Sequence, residues 1–124
     1  MIDHLSIGCS DIVRAKDFYK KVLSLFNCKV IHESDECIGF KLTSGPGLWI
    51  APPLDSTQSY IPSNSFHLCF KADSREQVDQ FYKLTLKLSA TCEGRPGIRE
   101  IYGPNYYAAY VRDPEGNKIE AAIY

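Results

Sequence analysis

An internal repeat limits the folds that are open to this chain. When His4 is placed over His67, a shift of 63 residues, the two halves align without a gap through the first helical segment. The matched pairs include His4-Leu5 with His67-Leu68, Ile7 with Phe70, Phe18-Tyr19-Lys20 with Phe81-Tyr82-Lys83, and Leu23 with Leu86. A repeat at about half the chain length indicates two copies of one supersecondary unit, each of about 60 residues.

Each copy begins with a strand and continues with a helix. Alternating apolar and polar residues predict strands over 2–9 and 66–71, and apolar residues at helical spacing predict helices over about 11–25 and 75–88. Three further strands follow each helix. They are expected at about 28–32, 37–43 and 48–51 in the first copy, and near 91, at 106–112 and at 117–123 in the second. The sequence therefore predicts an α+β fold of two tandem β-α-β-β-β modules that form a cupped mixed sheet, with the helices on its outer face.

Turn residues mark the connections between these elements. Asp113-Pro-Glu-Gly116 predicts a tight hairpin between the last two strands, and residues 93–105 are expected to form an irregular loop. Ser10 or Asp11 is the expected cap of the first helix, and Ser74 with Gln77 predicts a capping box at the second. We interpret the chain as one domain, with module one at about 1–54, a linker at about 55–64 and module two at about 65–124.

Strand parity predicts which side chains face away from the helices, on the side that we call the cup. Leu5 and Ile7 are expected to pack on the first helix, so His4 faces the cup. The same parity places His67 and Glu120 on the cup of the second copy. The other cup residues expected from the last two strands are Tyr106, Ala108, Tyr110, Lys118 and Ala122.

Two imidazoles and one carboxylate on three strands would form a facial triad. His4, His67 and Glu120 suit Fe(II), Mn(II), Zn(II) or Ni(II) and leave positions open for water and substrate. A glutamate in the middle of an apolar strand supports this interpretation, because Glu is depleted in strands. A strand histidine is more often a polar residue with protein partners than a metal ligand, so that alternative stays open.

Composition excludes some classes of binding partner. The chain has 14 Lys and Arg against 15 Asp and Glu, a net charge of -1, whereas proteins that bind nucleic acid carry a basic excess. No apolar run approaches the ~18 residues of a membrane span, and the N-terminus lacks a signal-peptide pattern. We therefore expect a cytoplasmic protein that binds neither nucleic acid nor membrane. The five cysteines include no CxxC pair, so no disulfide framework is expected, and Cys9 and Cys69 are interpreted as buried or half-buried thiols.

The repeat and its motifs resemble the vicinal oxygen chelate superfamily, which contains glyoxalase I, extradiol dioxygenases, fosfomycin-resistance thiol transferases, methylmalonyl-CoA epimerase and bleomycin-binding proteins. The resemblance covers nearly the whole chain. It rests on Asp3-His4-Leu5, Phe18-Tyr19 and His67-Leu68, and its most specific element is the terminal Asp113-Pro-Glu-Gly-Asn-Lys-Ile-Glu120. In metal-dependent members, ligands come from the first and last strands of each copy. The resemblance therefore implies His4, His67 and Glu120 as three ligands.

The fourth metal ligand of the family has no counterpart in this sequence. Alignment of residues 48–51 with 117–120 places Ala51 where glyoxalase I carries a Glu or Gln, so the resemblance argues against glyoxalase I activity. A three-ligand site is similar to that of the dioxygenases and thiol transferases. Tyr110 lies where the thiol transferases carry a substrate-contacting Tyr and is the expected catalytic residue. The expected substrate-binding residues are Trp49, Tyr106, Arg99 and Lys118.

Two functions of different class follow from these observations. The first is a metal-dependent enzyme acting on a small oxygen-chelating substrate, as a lyase, a thiol transferase or a ring-cleaving dioxygenase. Its cofactor would be a divalent ion of Fe, Mn, Zn or Ni. The second is a metal-free module of the bleomycin-binding kind that sequesters a small molecule. Small members of the superfamily are commonly homodimers, so the resemblance also implies a homodimer.

Overall fold

The computed structural model describes all 124 residues and contains two modules of the same architecture. Module one consists of β1 (His4–Gly8), α1 (Ile12–Ser24), β2 (Lys29–Glu33), β3 (Ile38–Lys41) and β4 (Gly47–Ala51). Module two consists of β5 (His67–Lys71), α2 (Arg75–Lys87), β6 (Thr91–Ile98), β7 (Tyr107–Arg112) and β8 (Lys118–Ile123). A 3₁₀ turn at Glu100–Tyr102 lies between β6 and β7. The expected α+β fold of two β-α-β-β-β modules is confirmed.

Each module has its own four-stranded mixed sheet with the same connectivity. The strand orders are β1-β4-β3-β2 and β5-β8-β7-β6. In both sheets the first and last strands of the module pair in parallel, and the remaining pairs are antiparallel. The chain divides into two compact units at residues Met1–Pro62 and Ser63–Tyr124. None of the helices is long and apolar enough to cross a bilayer.

The core of module one lies between α1 and its sheet. Asp11 is the N-cap of α1, where its carboxylate accepts a hydrogen bond of 3.0 Å from the Arg14 backbone N–H. One stripe of the helix is buried, as its spacing predicted: Ala15, Phe18, Tyr19, Val22 and Leu23. The sheet contributes Ile38, Phe40, Leu48 and Ile50, each at most 1% exposed. Burying a large apolar side chain contributes about 1.5–3 kcal/mol, so this interface orients the sheet with its other face outward.

The core of module two is built in the same way around α2. Ser74 caps the helix, and its hydroxyl accepts a hydrogen bond of 3.1 Å from the Gln77 N–H. The Gln77 side chain returns to the N–H of Asp73, one residue before the cap, which differs from the reciprocal bond of a capping box. Val78, Phe81 and Thr85 are fully buried on the helix.

The turn between β7 and β8 confirms the predicted hairpin and shows which hydrogen bonds hold its conformation. The buried Asp113 carboxylate accepts hydrogen bonds from the N–H groups of Glu115 and Asn117 at 2.9 and 2.8 Å, and from the Asn117 amide at 3.0 Å. Gly116 has φ of 92°, a conformation that favours glycine. The turn sets the register in which Tyr110 lies opposite Glu120.

Two sequence-based expectations are wrong in detail. Residues 93–98 belong to β6 rather than to an irregular loop, with register shifts between Cys92 and Gly94 and between Gly94 and Gly97. Bulges tolerate the glycines and the missing N–H of proline, which explains how a strand passes through this segment. Cys69 is exposed rather than half-buried, because it lies on the cup face of β5.

Candidate functional site

The candidate site of module two centres on the carboxylate of Glu120. This side chain is 3% exposed, and its Oε2 lies 3.1 Å from Nε2 of His67. Its Oε1 accepts a hydrogen bond of 2.8 Å from the Tyr106 hydroxyl. In the sheet, Glu120 lies opposite Cys69 on β5 and Tyr110 on β7. The structure thus brings His67, Tyr106 and Glu120 together on the cup face.

The geometry of the His67 and Glu120 pair fits two ligand positions of one metal ion. Bonds of about 2.0–2.2 Å to one ion place two ligand atoms about 3.0 Å apart at the right angles of an octahedral site and about 3.4 Å apart at tetrahedral angles. The observed 3.1 Å between Nε2 and Oε2 meets this requirement. No cluster of three or more His, Cys, Asp or Glu side chains is placed to hold an ion in this structure. The site therefore offers a two-residue donor pair within module two.

Tyr110 lies next to this pair and is surrounded by positive charge. The Arg99 guanidinium and the Lys118 ammonium lie 5.5 and 5.3 Å from its ring centroid. Burial of the phenol, followed by its hydrogen bond to Glu120, raises the pKa of Tyr110. Tyr110 is therefore protonated at neutral pH and acts as a hydrogen-bond donor rather than as a base.

Arg99 and Tyr106, which the sequence predicts to bind substrate, also make contacts within the protein. The Arg99 guanidinium donates a hydrogen bond of 2.6 Å to the backbone carbonyl of Arg95. A Cβ at Gly94 or Gly97 would come within 3.2 and 3.1 Å of the Arg99 guanidinium nitrogens, so these glycines make room for it. Burial, followed by the hydrogen bond to Glu120, raises the pKa of Tyr106. Its phenol is thus a donor to the carboxylate.

Cys69 is a site residue that sequence reasoning missed. The residue as a whole is exposed, but its thiol lies opposite Glu120 and is partly desolvated. This desolvation, followed by the Glu120 charge, raises the pKa of Cys69 to about 12. A thiol with such a pKa is protonated at neutral pH and is a poor nucleophile. The alternation His67-Leu68-Cys69 could have identified its position, since it places the thiol on the same face as the histidine.

Module one carries His4 and Trp49 beside a cavity of about 880 Å³. His4 Nδ1 lies 2.7 Å from the Asp3 carboxylate, an arrangement in which Nδ1 donates its proton and Nε2 presents a lone pair. Trp49 lies 5.5 Å, centroid to centroid, from the ring of His32. Exposed apolar side chains of Ile31 and Leu54 also line the cavity. His4 belongs to module one, so its combination with His67 and Glu120 remains a prediction.

The strand register corrects the alignment of the two modules. His67 pairs with Lys118, and Glu120 follows that partner by two residues. His4 pairs with Gly47, and the residue that follows this partner by two is Trp49, not Ala51. Ala51 instead pairs with Gly8, four residues beyond His4, and is the counterpart of Ala122. Module one therefore has an indole where module two has its carboxylate, and neither Trp49 nor Ala51 offers a ligand atom.

Comparison with known proteins identifies the class to which this fold and site belong. The model of the glyoxalase/bleomycin resistance protein/dioxygenase superfamily matches residues 1–121, and the chain belongs to that superfamily. The expected resemblance is thereby confirmed.

Particular relatives span most of the chain. Metallothiol transferase FosB of Staphylococcus saprophyticus is 29% identical over 121 residues, which cover 96% of this chain and 74% of the relative. A glyoxalase/bleomycin resistance protein from Albidiferax ferrireducens T118 superposes with a TM-score of 0.86 at 29% identity, covering 100% and 98% of the two chains. Lactoylglutathione lyase from Agrobacterium tumefaciens has a TM-score of 0.66 at 23% identity, covering 99% and 92%, and shows a shared fold.

Proposed function

We propose that this protein is a metal-dependent enzyme acting on a small substrate with adjacent oxygen atoms. The observation that carries the proposal is the 3.1 Å approach of His67 Nε2 to Glu120 Oε2 on the cup face. His4, His67 and Glu120 would hold a divalent ion of Fe, Mn, Zn or Ni. When bound, such an ion acts as a Lewis acid that polarises a substrate oxygen.

The residues around Glu120 have complementary roles in this proposal. Tyr110, whose pKa is raised by burial and by Glu120, donates a hydrogen bond to a substrate oxygen that gains negative charge. Arg99 and Lys118 place positive charge beside the same ring and favour an anionic substrate. Trp49 offers an apolar surface to the substrate in module one.

Among the three reaction classes considered, thiol transfer has the most support. The relative at 29% identity is a metallothiol transferase, whereas the lactoylglutathione lyase supports the fold alone. The absence of a carboxylate at Trp49 and Ala51 argues against an isomerase that needs a second acidic ligand. Lyase and ring-cleaving dioxygenase activities are the remaining enzymatic alternatives.

The second candidate function is metal-free binding of a small molecule. Both oxygens of Glu120 have protein partners, and no buried side-chain nitrogen or oxygen in the structure lacks one. A buried carboxylate with two partners is stable without an ion, because hydrogen bonds offset its desolvation. This arrangement is compatible with a protein that sequesters a ligand.

Metal titration discriminates between the two functions. We expect protein purified without chelator to bind about one divalent ion per chain, as a three-ligand site would. Glu120→Ala and His67→Ala should each abolish this binding in calorimetric titrations with Zn²⁺, Mn²⁺, Ni²⁺ or anaerobic Fe²⁺. Glu33→Ala is the matched control, since Glu33 is an exposed strand glutamate paired with Lys20 at 2.6 Å. Failure of the wild-type chain to bind any of these ions would support the metal-free alternative, and equal affinity in wild type and Glu120→Ala would overturn the assignment of Glu120 as a ligand.

We also propose a cytoplasmic location. The five cysteines are all free thiols, of which two are exposed. Proteins of oxidising compartments commonly pair their cysteines, whereas free thiols are maintained in the reducing cytosol. Quantifying free thiols in protein extracted under an alkylating quench checks this expectation, and quantitative disulfide formation in the cell would contradict it.

A further inference from the structure

The Tyr106 hydroxyl is hydrogen-bonded to one carboxylate oxygen of Glu120, the candidate metal ligand. It donates a hydrogen bond of 2.8 Å to Oε1, while Oε2 of the same carboxylate lies 3.1 Å from His67. We infer that Tyr106 is a positioning residue of the metal site, which fixes the Glu120 carboxylate as a monodentate ligand with Oε2 directed at the ion. The inference rests on the proposed metal-dependent function.

The physical basis is the rotational freedom of a carboxylate. The terminal torsion of a glutamate side chain is broad, so an unrestrained carboxylate turns through many orientations. A hydrogen bond to one oxygen removes this freedom and leaves the other oxygen in a defined direction. Outer partners of this kind orient metal ligands and typically change affinity by about 10–100-fold when removed.

The Tyr106 ring is itself held in place by a tyrosine stack, which consists of Tyr102, Tyr106 and Tyr124. The rings of Tyr106 and Tyr124 are stacked at 5.2 Å with an angle of 6°, and Tyr102 contacts the Tyr106 ring at 5.2 Å. The ammonium of Lys71 lies 5.4 Å from the Tyr124 ring centroid. These contacts restrain the ring that carries the Tyr106 hydroxyl.

The backbone supports the same placement. The Tyr106 N–H donates to the Gly103 carbonyl at 3.2 Å, and the Tyr106 carbonyl accepts from the Arg99 N–H at 2.8 Å. Gly103 has φ of 144°, a conformation in which a Cβ would be strained. The segment between the 3₁₀ turn and β7 is therefore anchored on both sides of Tyr106.

The next residue along the chain supplies a matched control. The Tyr107 hydroxyl donates to Asp79 on α2 at 2.7 Å, so it lies on the helix face of the sheet. Tyr106→Phe and Tyr107→Phe each remove one hydroxyl that hydrogen-bonds a carboxylate. The two variants differ in whether that carboxylate is the candidate ligand.

The test measures Zn²⁺ affinity of the full chain by competition with a chromogenic chelator. We expect Tyr106→Phe to weaken Zn²⁺ binding by about 10–100-fold. Tyr107→Phe should bind Zn²⁺ as wild type does. In protein loaded with Co²⁺, the visible absorption spectrum should change in Tyr106→Phe and remain unchanged in Tyr107→Phe. Far-ultraviolet circular dichroism verifies that each variant is folded.

A second pair of variants tests the stack without touching the hydroxyl. Tyr124→Ala removes a ring that packs on Tyr106, whereas Tyr124→Phe retains it. We expect a loss of Zn²⁺ affinity in Tyr124→Ala that is smaller than in Tyr106→Phe, and none in Tyr124→Phe. Equal affinities in the Ala and Phe variants would contradict the role of the stack.

The outcomes separate this inference from the proposed function. Wild-type Zn²⁺ binding that is lost in Glu120→Ala but unchanged or tighter in Tyr106→Phe would overturn the inference and leave the proposed function intact. Tighter binding would mean that the hydrogen bond from Tyr106 prevents Oε1 of Glu120 from coordinating the ion. Failure of the wild-type chain to bind Zn²⁺, Mn²⁺, Ni²⁺ or Fe²⁺ would overturn both.

Discussion

The indole of Trp49 packs against the backbone of Gly39, which has no side chain. Gly39 on β3 lies opposite Trp49 in the ladder, and a Cβ built there would be 2.8 Å from Cζ3 of the indole. Real Cβ atoms essentially never approach so closely. The absence of a side chain at Gly39 thus allows the large ring to lie against the sheet, beside the module-one cavity.

We predict that Gly39→Ala displaces Trp49 and destabilises the fold by about 1–3 kcal/mol, the usual cost of overpacking. Trp49 is the single tryptophan of the chain, so its emission spectrum reports the displacement directly. Urea unfolding followed by circular dichroism measures the change in stability. Gly47→Ala is the control, because the nearest atom to its new Cβ would be 3.4 Å away. Equal effects of the two substitutions would contradict the prediction.

Strand parity was sufficient to place individual side chains on a face but not to pair them. It placed His67 and Glu120 on one face, where the structure has their donor atoms 3.1 Å apart. It also placed Tyr106 on this face, but it could not show that the phenol donates to Glu120, because parity assigns a side chain to a face and not to a hydrogen-bond partner. The alignment of Ala51 with Glu120 failed for a related reason. Parity repeats every two residues, so a register two residues away satisfies it equally well.

At the level of elements, the β7–β8 turn determines where Glu120 lies. The carboxylate of Asp113 binds two backbone N–H groups and the Asn117 amide inside the turn. With the turn fixed, β8 pairs with β7 so that Tyr110 faces Glu120. A shift of one residue would move Glu120 from the cup to the helix face.

We predict that Asp113→Ala destabilises the protein by about 2–3 kcal/mol, because buried donors lose a charged acceptor. Metal affinity should fall as well, since Glu120 depends on the register of this hairpin. Chemical denaturation and the Zn²⁺ competition assay measure the two effects. Asp35→Ala is the control, as Asp35 is an exposed residue between β2 and β3. A stable Asp113→Ala variant with wild-type affinity would show that the turn does not set the register.

The elements themselves were largely predictable, and the exception has a physical reason. Helices α1 and α2 were recognised from apolar stripes and caps, which are local signals. The local sequence predicts a loop after Cys92, where β6 in fact continues, because Gly94, Pro96 and Gly97 are turn formers in isolation. Pairing with β7 overrides that local preference, and the bulges absorb the mismatch.

At the scale of the whole molecule, the sheet edges motivate a homodimer. Strand β2 is an edge strand whose five residues are all exposed, including Val30 and Ile31 at 43% and 56%. Exposed apolar edge strands favour association with another chain. We predict that light scattering coupled to size exclusion gives twice the chain mass of 14.0 kDa. A monodisperse species at the mass of one chain would exclude the dimer.

The residues at equivalent positions of the two modules, Trp49 and Glu120, also predict a reaction that the protein does not catalyse. Isomerisation of the hemithioacetal of methylglyoxal and glutathione, the glyoxalase I reaction, requires a base that removes a proton beside the substrate carbonyl. In module one the place equivalent to Glu120 is occupied by Trp49, which has no basic atom. In module two, Glu120 is engaged by His67 and Tyr106. The raised pKa of Tyr110 makes that phenol a donor.

We therefore predict no measurable turnover of this hemithioacetal by protein loaded with Zn²⁺, Ni²⁺ or Mn²⁺. The formation of the thioester product, followed by its ultraviolet absorbance, provides the assay. Robust wild-type turnover that chelator and His67→Ala both abolish would mean that a base other than a second carboxylate serves this site.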